Sequence, residues 1–130
     1  MSQESIRTPM GKVRGLGSAK EGVTHFIRQR VTAISLIVFV PFVLFGLMSA
    51  TQNGYQGAAE FVGNPIYGVI LILACGAAFY HMRLGMQVVI EDYIAKHGTR
   101  VVLLMLNTFV SIALFAAAAY SIIRVGLTTA

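Results

Sequence analysis

The amino-acid sequence predicts an all-α membrane protein that crosses the bilayer three times, and three observations predict it. The chain is 56% hydrophobic and only 12% charged, whereas a water-soluble fold of 130 residues would have to cover its surface with polar side chains. Its mean hydropathy is +0.74, and the charges collect in short stretches that mark where water begins. Between those stretches lie three apolar runs, each as long as an α-helix must be to cross a hydrocarbon core about 30 Å thick.

Residues 1–22 read as a flexible basic tail, in which Gly11, Gly15, Gly17 and Gly22 interleave with Lys12, Arg14 and Lys20. The tail holds no apolar signal-peptide core and no transit-peptide pattern, which favours a bacterial inner membrane over a mitochondrial one. Residues 23–130 form the transmembrane domain, with spans expected at about 28–50, 66–90 and 100–124. The first span contains Val31 to Ala50, a run without a charge. Pro41 interrupts its hydrogen-bond ladder and predicts a kink. The connection from Thr51 to Asn64 is polar and turn-rich and reads as a loop. Asn64 and Pro65 then start the second span as N-cap and first helical residue. A short charged loop, Glu91 to Arg100, precedes the third span, which ends near Arg124.

The distribution of Lys and Arg sets the orientation. Arg7, Lys12, Arg14, Lys20, Arg28 and Arg30 precede the first span, Lys96 and Arg100 lie in the second loop, and the first loop has none. The positive-inside rule therefore places the N-terminus in the cytoplasm and the C-terminus in the periplasm. The net charge of +5 is explained by that topology and by anionic headgroups rather than by nucleic acid, because no reading element accompanies it. Cys75 lies inside an apolar run without a disulfide partner and reads as a small hydrophobe.

His81 is the most informative residue. It lies fifteen positions after Ile66, roughly 22 Å into the membrane. An ionisable group at that depth faces the bundle interior or a cavity, where it is either a metal or haem ligand or a histidine hydrogen-bonded across helices. Ala74, Ala77, Ala78, His81, Gly85, Val88 and Asp92 share one helical stripe. Its small residues leave room for a flat macrocycle beside His81, and they equally suit a close helix interface. Asp92 and Tyr93 reach the cytoplasmic edge, where a carboxylate and a phenol either bind a polar headgroup such as a quinone carbonyl or belong to the interfacial belt. Arg30 is an anchor or the partner of an anion such as a haem propionate or Asp92. Arg83, about 200° around the helix from His81, is expected to snorkel or to meet a partner subunit. His25 and His97 are expected to be solvated.

The string His81-Met-Arg-Leu-Gly85-Met-Gln87-Val-Val-Ile-Glu-Asp92-Tyr93 resembles the H-x-x-x-G-x-x-x-x-x-x-D-Y signature of the succinate dehydrogenase membrane-anchor (SdhD) family. The segment from Gly22 through Arg30, Thr32 and Ala33 resembles the family's approach to its first helix, and the Gly15 to Glu21 run resembles a bacterial branch. The resemblance implies that His81 is an axial ligand of haem b, with the second histidine supplied by a companion cytochrome b-type anchor subunit, SdhC. It implies that Tyr93 hydrogen-bonds a ubiquinone carbonyl, that Asp92 supports that site through an arginine of the companion chain, and that Arg30 lies near the haem propionates. The chain would then be a non-flavin subunit of a succinate:ubiquinone oxidoreductase, not catalytic alone, held with an iron–sulfur subunit and a flavoprotein subunit. It carries no nucleotide-binding glycine motif and no cysteine set for a cluster. The alternative is a haem-free three-helix scaffold of another respiratory complex. Solute conduction is the weakest reading, because a single span carries ionisable residues.

Overall fold

The computed structural model describes residues 8–10 and 21–129. Most of the expected basic tail therefore lies outside the described residues. Between Glu21 and Thr129 the described residues form, in order, α1 over Glu21–Thr51, α2 over Gly54–Gly63, α3 over Pro65–Tyr93 and α4 over His97–Thr129. Three of them, all but α2, are long and apolar enough to cross a membrane. Each runs past the expected span at both ends, because the helix continues through the polar flanks into the headgroup region instead of stopping where the apolar run stops.

Helix α1 continues through Pro41 without a break. At the start of α3, the Asn64 side-chain oxygen accepts from the backbone N–H of Ile66 at 3.0 Å and of Tyr67 at 3.4 Å. With Pro65 in the first turn, two N–H groups that the helix leaves free are satisfied and one is removed, as the sequence predicts.

The expected loop between the first two spans is instead largely helix α2. Gly54, with φ +70°, turns the chain in a left-handed conformation that other residues adopt only at a cost. Gly57 then lets α2 fold back against α1: a Cβ there would collide with the Ala50 carbonyl oxygen. The Phe61 ring lies over Gly46, where an added Cβ would stand 2.6 Å from it, and stacks on Tyr67 with centroids 4.8 Å apart. These contacts tie α2 to both α1 and α3 near the Asn64 end.

Helix α3 packs against both α1 and α4, which do not pack on one another. The three spans thus form a layer with α3 in the middle. Its interior is thin: Leu84 is 2% exposed and Ile90 8%, while most large apolar side chains face outward. In lipid that surface needs no burial, so the layer is held by close packing and by polar contacts between helices.

The polar contacts join α3 to α4. The Arg83 Nε–H donates to the Thr108 hydroxyl at 3.1 Å, and the Asn107 side-chain amide donates to the Arg83 carbonyl at 3.0 Å. Arg83 is half-buried and is thereby tied to α4 through its Nε–H and its backbone carbonyl, because Thr108 offers an acceptor at the matching level of the antiparallel neighbour. Thr108→Val removes that acceptor at nearly constant volume. It is expected to destabilise the chain by about 0.6 to 2 kcal/mol, read as a lower midpoint of thermal unfolding in detergent, and an unchanged midpoint would show the contact to be energetically idle.

Candidate functional site

The candidate site is built on α3 and the first half of α1. His81 stands sixteen residues into the twenty-nine of α3 and is half-buried. Thr32 of α1 lies directly across from it, with its hydroxyl oxygen 2.9 Å from His81 Nδ1. The two positions are 49 residues apart in sequence and meet because α1 and α3 run antiparallel. Thr32 is 9% exposed, an unusual depth for a hydroxyl at the edge of a layer so open. Of the two expectations for His81, a bond across helices is therefore present, and it occupies only one ring nitrogen. Among the described residues His81 Nε2 has no hydrogen-bond partner, and it is not sealed from the surface.

The stripe of small residues leaves the helix face one turn along from His81 open. Gly85 follows His81 by one helical turn, and a Cβ built there would meet nothing within 4 Å. Among the described residues no three His, Cys, Asp or Glu side chains gather into a metal site. A porphyrin does not require such a cluster, since it brings its own equatorial nitrogens and takes only axial ligands from the protein. A free imidazole nitrogen on a helix face left open by glycine fits that demand.

Asp92 and Tyr93 close α3 at its far end, about 16 to 18 Å from His81 along the axis. Both are exposed, Tyr93 at 82%, and among the described residues neither side chain has a hydrogen-bond or ion-pair partner. The neighbouring turn is instead joined by Gln87, whose amide donates to the Glu91 carboxylate at 2.9 Å. Arg30 makes no ion pair with Asp92. Its guanidinium lies 5.1 Å from the centroid of the Phe26 ring, one turn back on α1, a cation–π contact, and among the described residues its N–H groups have no hydrogen-bond partner. Arg30 also points about 200° around α1 from Thr32, so the chain alone does not bring it to His81.

His25 is not solvated as expected. The residue is half-buried, and its Nε2 is enclosed with no hydrogen-bond partner among the described residues. His97 is exposed, with Nδ1 3.5 Å from the Arg100 guanidinium. Thr32 is the contributor that residue-by-residue reading misses: a threonine in a membrane helix ordinarily bonds back to its own helix, and only the packing of α1 on α3 places it at His81.

Residues 4–120 match the family model for the succinate dehydrogenase/fumarate reductase transmembrane subunit. The chain is 35% identical over 95 residues to the succinate dehydrogenase hydrophobic membrane anchor subunit of Rickettsia bellii, covering 73% of this chain and 76% of that one. It is 30% identical over 120 residues to the subunit of the same name from Paracoccus denitrificans, covering 92% of each. The succinate dehydrogenase membrane anchor subunit of Reclinomonas americana is 27% identical over 96 residues, covering 72% of this chain and 80% of that one. No solved structure matches the chain. With its sequence signature, its three spans and its full-length relatives in agreement, the chain belongs to the succinate dehydrogenase/fumarate reductase transmembrane subunit family, as a hydrophobic membrane anchor of the SdhD type.

Proposed function

We propose that this chain anchors the flavoprotein and iron–sulfur subunits of a succinate dehydrogenase in the membrane, supplies one axial ligand to haem b, and forms part of the site where ubiquinone is reduced. The observation that carries the haem assignment is the divided state of His81, with Nδ1 held by Thr32 at 2.9 Å and Nε2 without a partner on the central helix of the layer. When bound, haem b supplies a one-electron redox centre within the membrane. His81 would hold the haem through Nε2, and a histidine of the companion anchor subunit SdhC would supply the second protein ligand. Arg30, whose guanidinium lies over the Phe26 ring with no hydrogen-bond partner among the described residues, would pair with a propionate.

At the end of α3, Tyr93 donates its hydroxyl proton in a hydrogen bond to a quinone carbonyl oxygen, and Asp92 orients the neighbouring groups of the pocket. Among the described residues both side chains lack partners, which suits a pocket closed by the companion anchor and the iron–sulfur subunit. The excess of Lys and Arg on the side of Glu21 and Lys96 supports an orientation in which this end faces the bacterial cytoplasm. Residues 1–22 then serve as a basic tail on that side, ahead of the transmembrane domain.

Co-purification tests the anchor assignment. An affinity-tagged chain solubilised in mild detergent is expected to bring down a flavoprotein, an iron–sulfur protein and a second membrane subunit, with succinate-reducible absorption of a b-type haem. Recovery of the three helices with subunits of a different complex and no haem absorption would support the scaffold alternative and sink this proposal.

A further inference from the structure

The hydroxyl of Thr32 has one proton and two lone pairs. Its oxygen lies 2.9 Å from the Arg28 carbonyl oxygen and 3.0 Å from that of Gln29, as well as 2.9 Å from His81 Nδ1. Carbonyl oxygens only accept. If the hydroxyl proton pointed at His81, two carbonyl oxygens would face the Thr32 oxygen at hydrogen-bond distance with no proton between them, an electrostatic repulsion made worse by the low local dielectric. The proton therefore goes to the backbone of α1, and a lone pair of the oxygen faces the imidazole. His81 must then be the donor, with its ring proton on Nδ1.

We propose that Thr32 is a positioning residue for His81: by accepting the Nδ1–H it selects the tautomer whose Nε2 carries the lone pair, and it fixes the plane of the ring. A metal-ligating histidine generally donates its other N–H to an acceptor that sets the tautomer and raises the basicity of the ligand. The acceptor here is a hydroxyl rather than a carboxylate, and in a membrane it does that work without placing a charge beside the ring. Its own proton is committed to the Arg28 and Gln29 carbonyls, so the hydroxyl has a fixed direction instead of rotating. An added Cβ at Gly85, one turn along α3, would meet nothing within 4 Å, so a small side chain there would not pack on the ring, and the hydrogen bond from Thr32 is the polar contact that holds the imidazole plane among the described residues. The inference rests on His81 being the haem ligand.

The test uses the purified complex and compares Thr32→Val, which keeps the branched shape and removes the hydroxyl, with Thr32→Ser, which keeps the hydroxyl. Thr32→Ala is measured beside Thr32→Val, so that an assembly defect in one leaves the other to decide. The readouts are haem affinity, the haem midpoint potential by spectroelectrochemistry, and succinate oxidation with a soluble acceptor as a measure of assembly. Thr32→Val is expected to weaken haem binding about 10 to 100-fold and to raise the midpoint potential, because an imidazole without an acceptor at Nδ1 donates less to the oxidised iron. Thr32→Ser is expected to restore both. Wild-type affinity and potential in Thr32→Val would overturn the proposal, as would equal impairment of Thr32→Ser and Thr32→Val, which would trace the effect to packing. A His81→Ala complex that keeps its haem spectrum would overturn the ligand assignment itself. Loss of haem in His81→Ala together with a wild-type Thr32→Val would overturn the role of Thr32 alone.

Discussion

Replacing His81 with alanine is expected to abolish the b-type haem signal in the reduced-minus-oxidised absorption spectrum of the purified complex while the three spans still insert. Insertion is safe because alanine is a strong helix former and removes an ionisable group from the membrane interior. The loss at the site is large because no other histidine can take over. His25 lies seven residues before Thr32 on α1, about 10 Å along the axis, and its Nε2 is enclosed. His97 lies beyond the end of α3 and is exposed. Removing an axial ligand outright should weaken haem binding by more than the roughly 10 to 100-fold typical of losing an outer contact. The substitution also leaves the Thr32 oxygen without its cross-helix donor, a loss of at most a few kcal/mol of packing stability between α1 and α3. A His81→Ala complex with unchanged haem ligation would refute the assignment.

What the sequence made legible follows from which forces are local. The three spans could be read because an uncharged run of sufficient length has one stable arrangement in lipid, and the start of α3 could be read because Asn64 and Pro65 act within a single turn. Helix α2 could not, since Gly54, Gly57 and Gly63 in a polar stretch carry the same signature as a loop. The informative signal was the helical spacing of Tyr55, Ala58, Ala59 and Val62; Gly57 and Gly63 prove to be points of close approach to α1 and α4, and Gly54 the left-handed turn. The contact of Arg83 with Thr108 was not legible, because Thr108 becomes its neighbour only through the antiparallel register of α3 and α4. Asn107, Thr108 and Ser111, adjacent polar residues in an otherwise apolar run, were the available clue that α4 presents a polar face.

The site shows the same division. The stripe through His81 and Asp92 is a property of one helix and was readable from spacing alone. Thr32 was not, because its bond to His81 spans 49 residues and depends on how two helices pack. The expectation that His25 is solvated failed for a related reason: its place before the apolar run says nothing about what covers it. Arg30 lacks the Asp92 partner considered for it because a face about 200° from Thr32 is turned away from α3, and the Phe26 ring meets its guanidinium instead. A propionate on the outer side of α1 remains compatible with that placement.

Tyr93→Phe is expected to lower succinate:ubiquinone reductase activity on the order of 100-fold while succinate oxidation with a soluble acceptor is retained. Tyr93 is 82% exposed and its hydroxyl has no partner among the described residues, so losing that hydroxyl removes no contact from this chain and the helix keeps its packing. Its effect must therefore fall on whatever the phenol meets outside the chain. Reduction of a quinone builds negative charge on the carbonyl oxygen, and a fixed donor aimed at developing charge typically contributes a factor of about 100 to 1,000. The split between two acceptors separates this from a structural role, because the soluble acceptor takes electrons before they reach the anchors. Parallel loss of both activities would indicate failed assembly, and retention of both would remove Tyr93 from the quinone site. Asp92→Asn, which keeps shape and removes charge, should reproduce the selective loss less strongly, since the role proposed for Asp92 is to orient neighbouring groups rather than to donate a proton to the quinone oxygen.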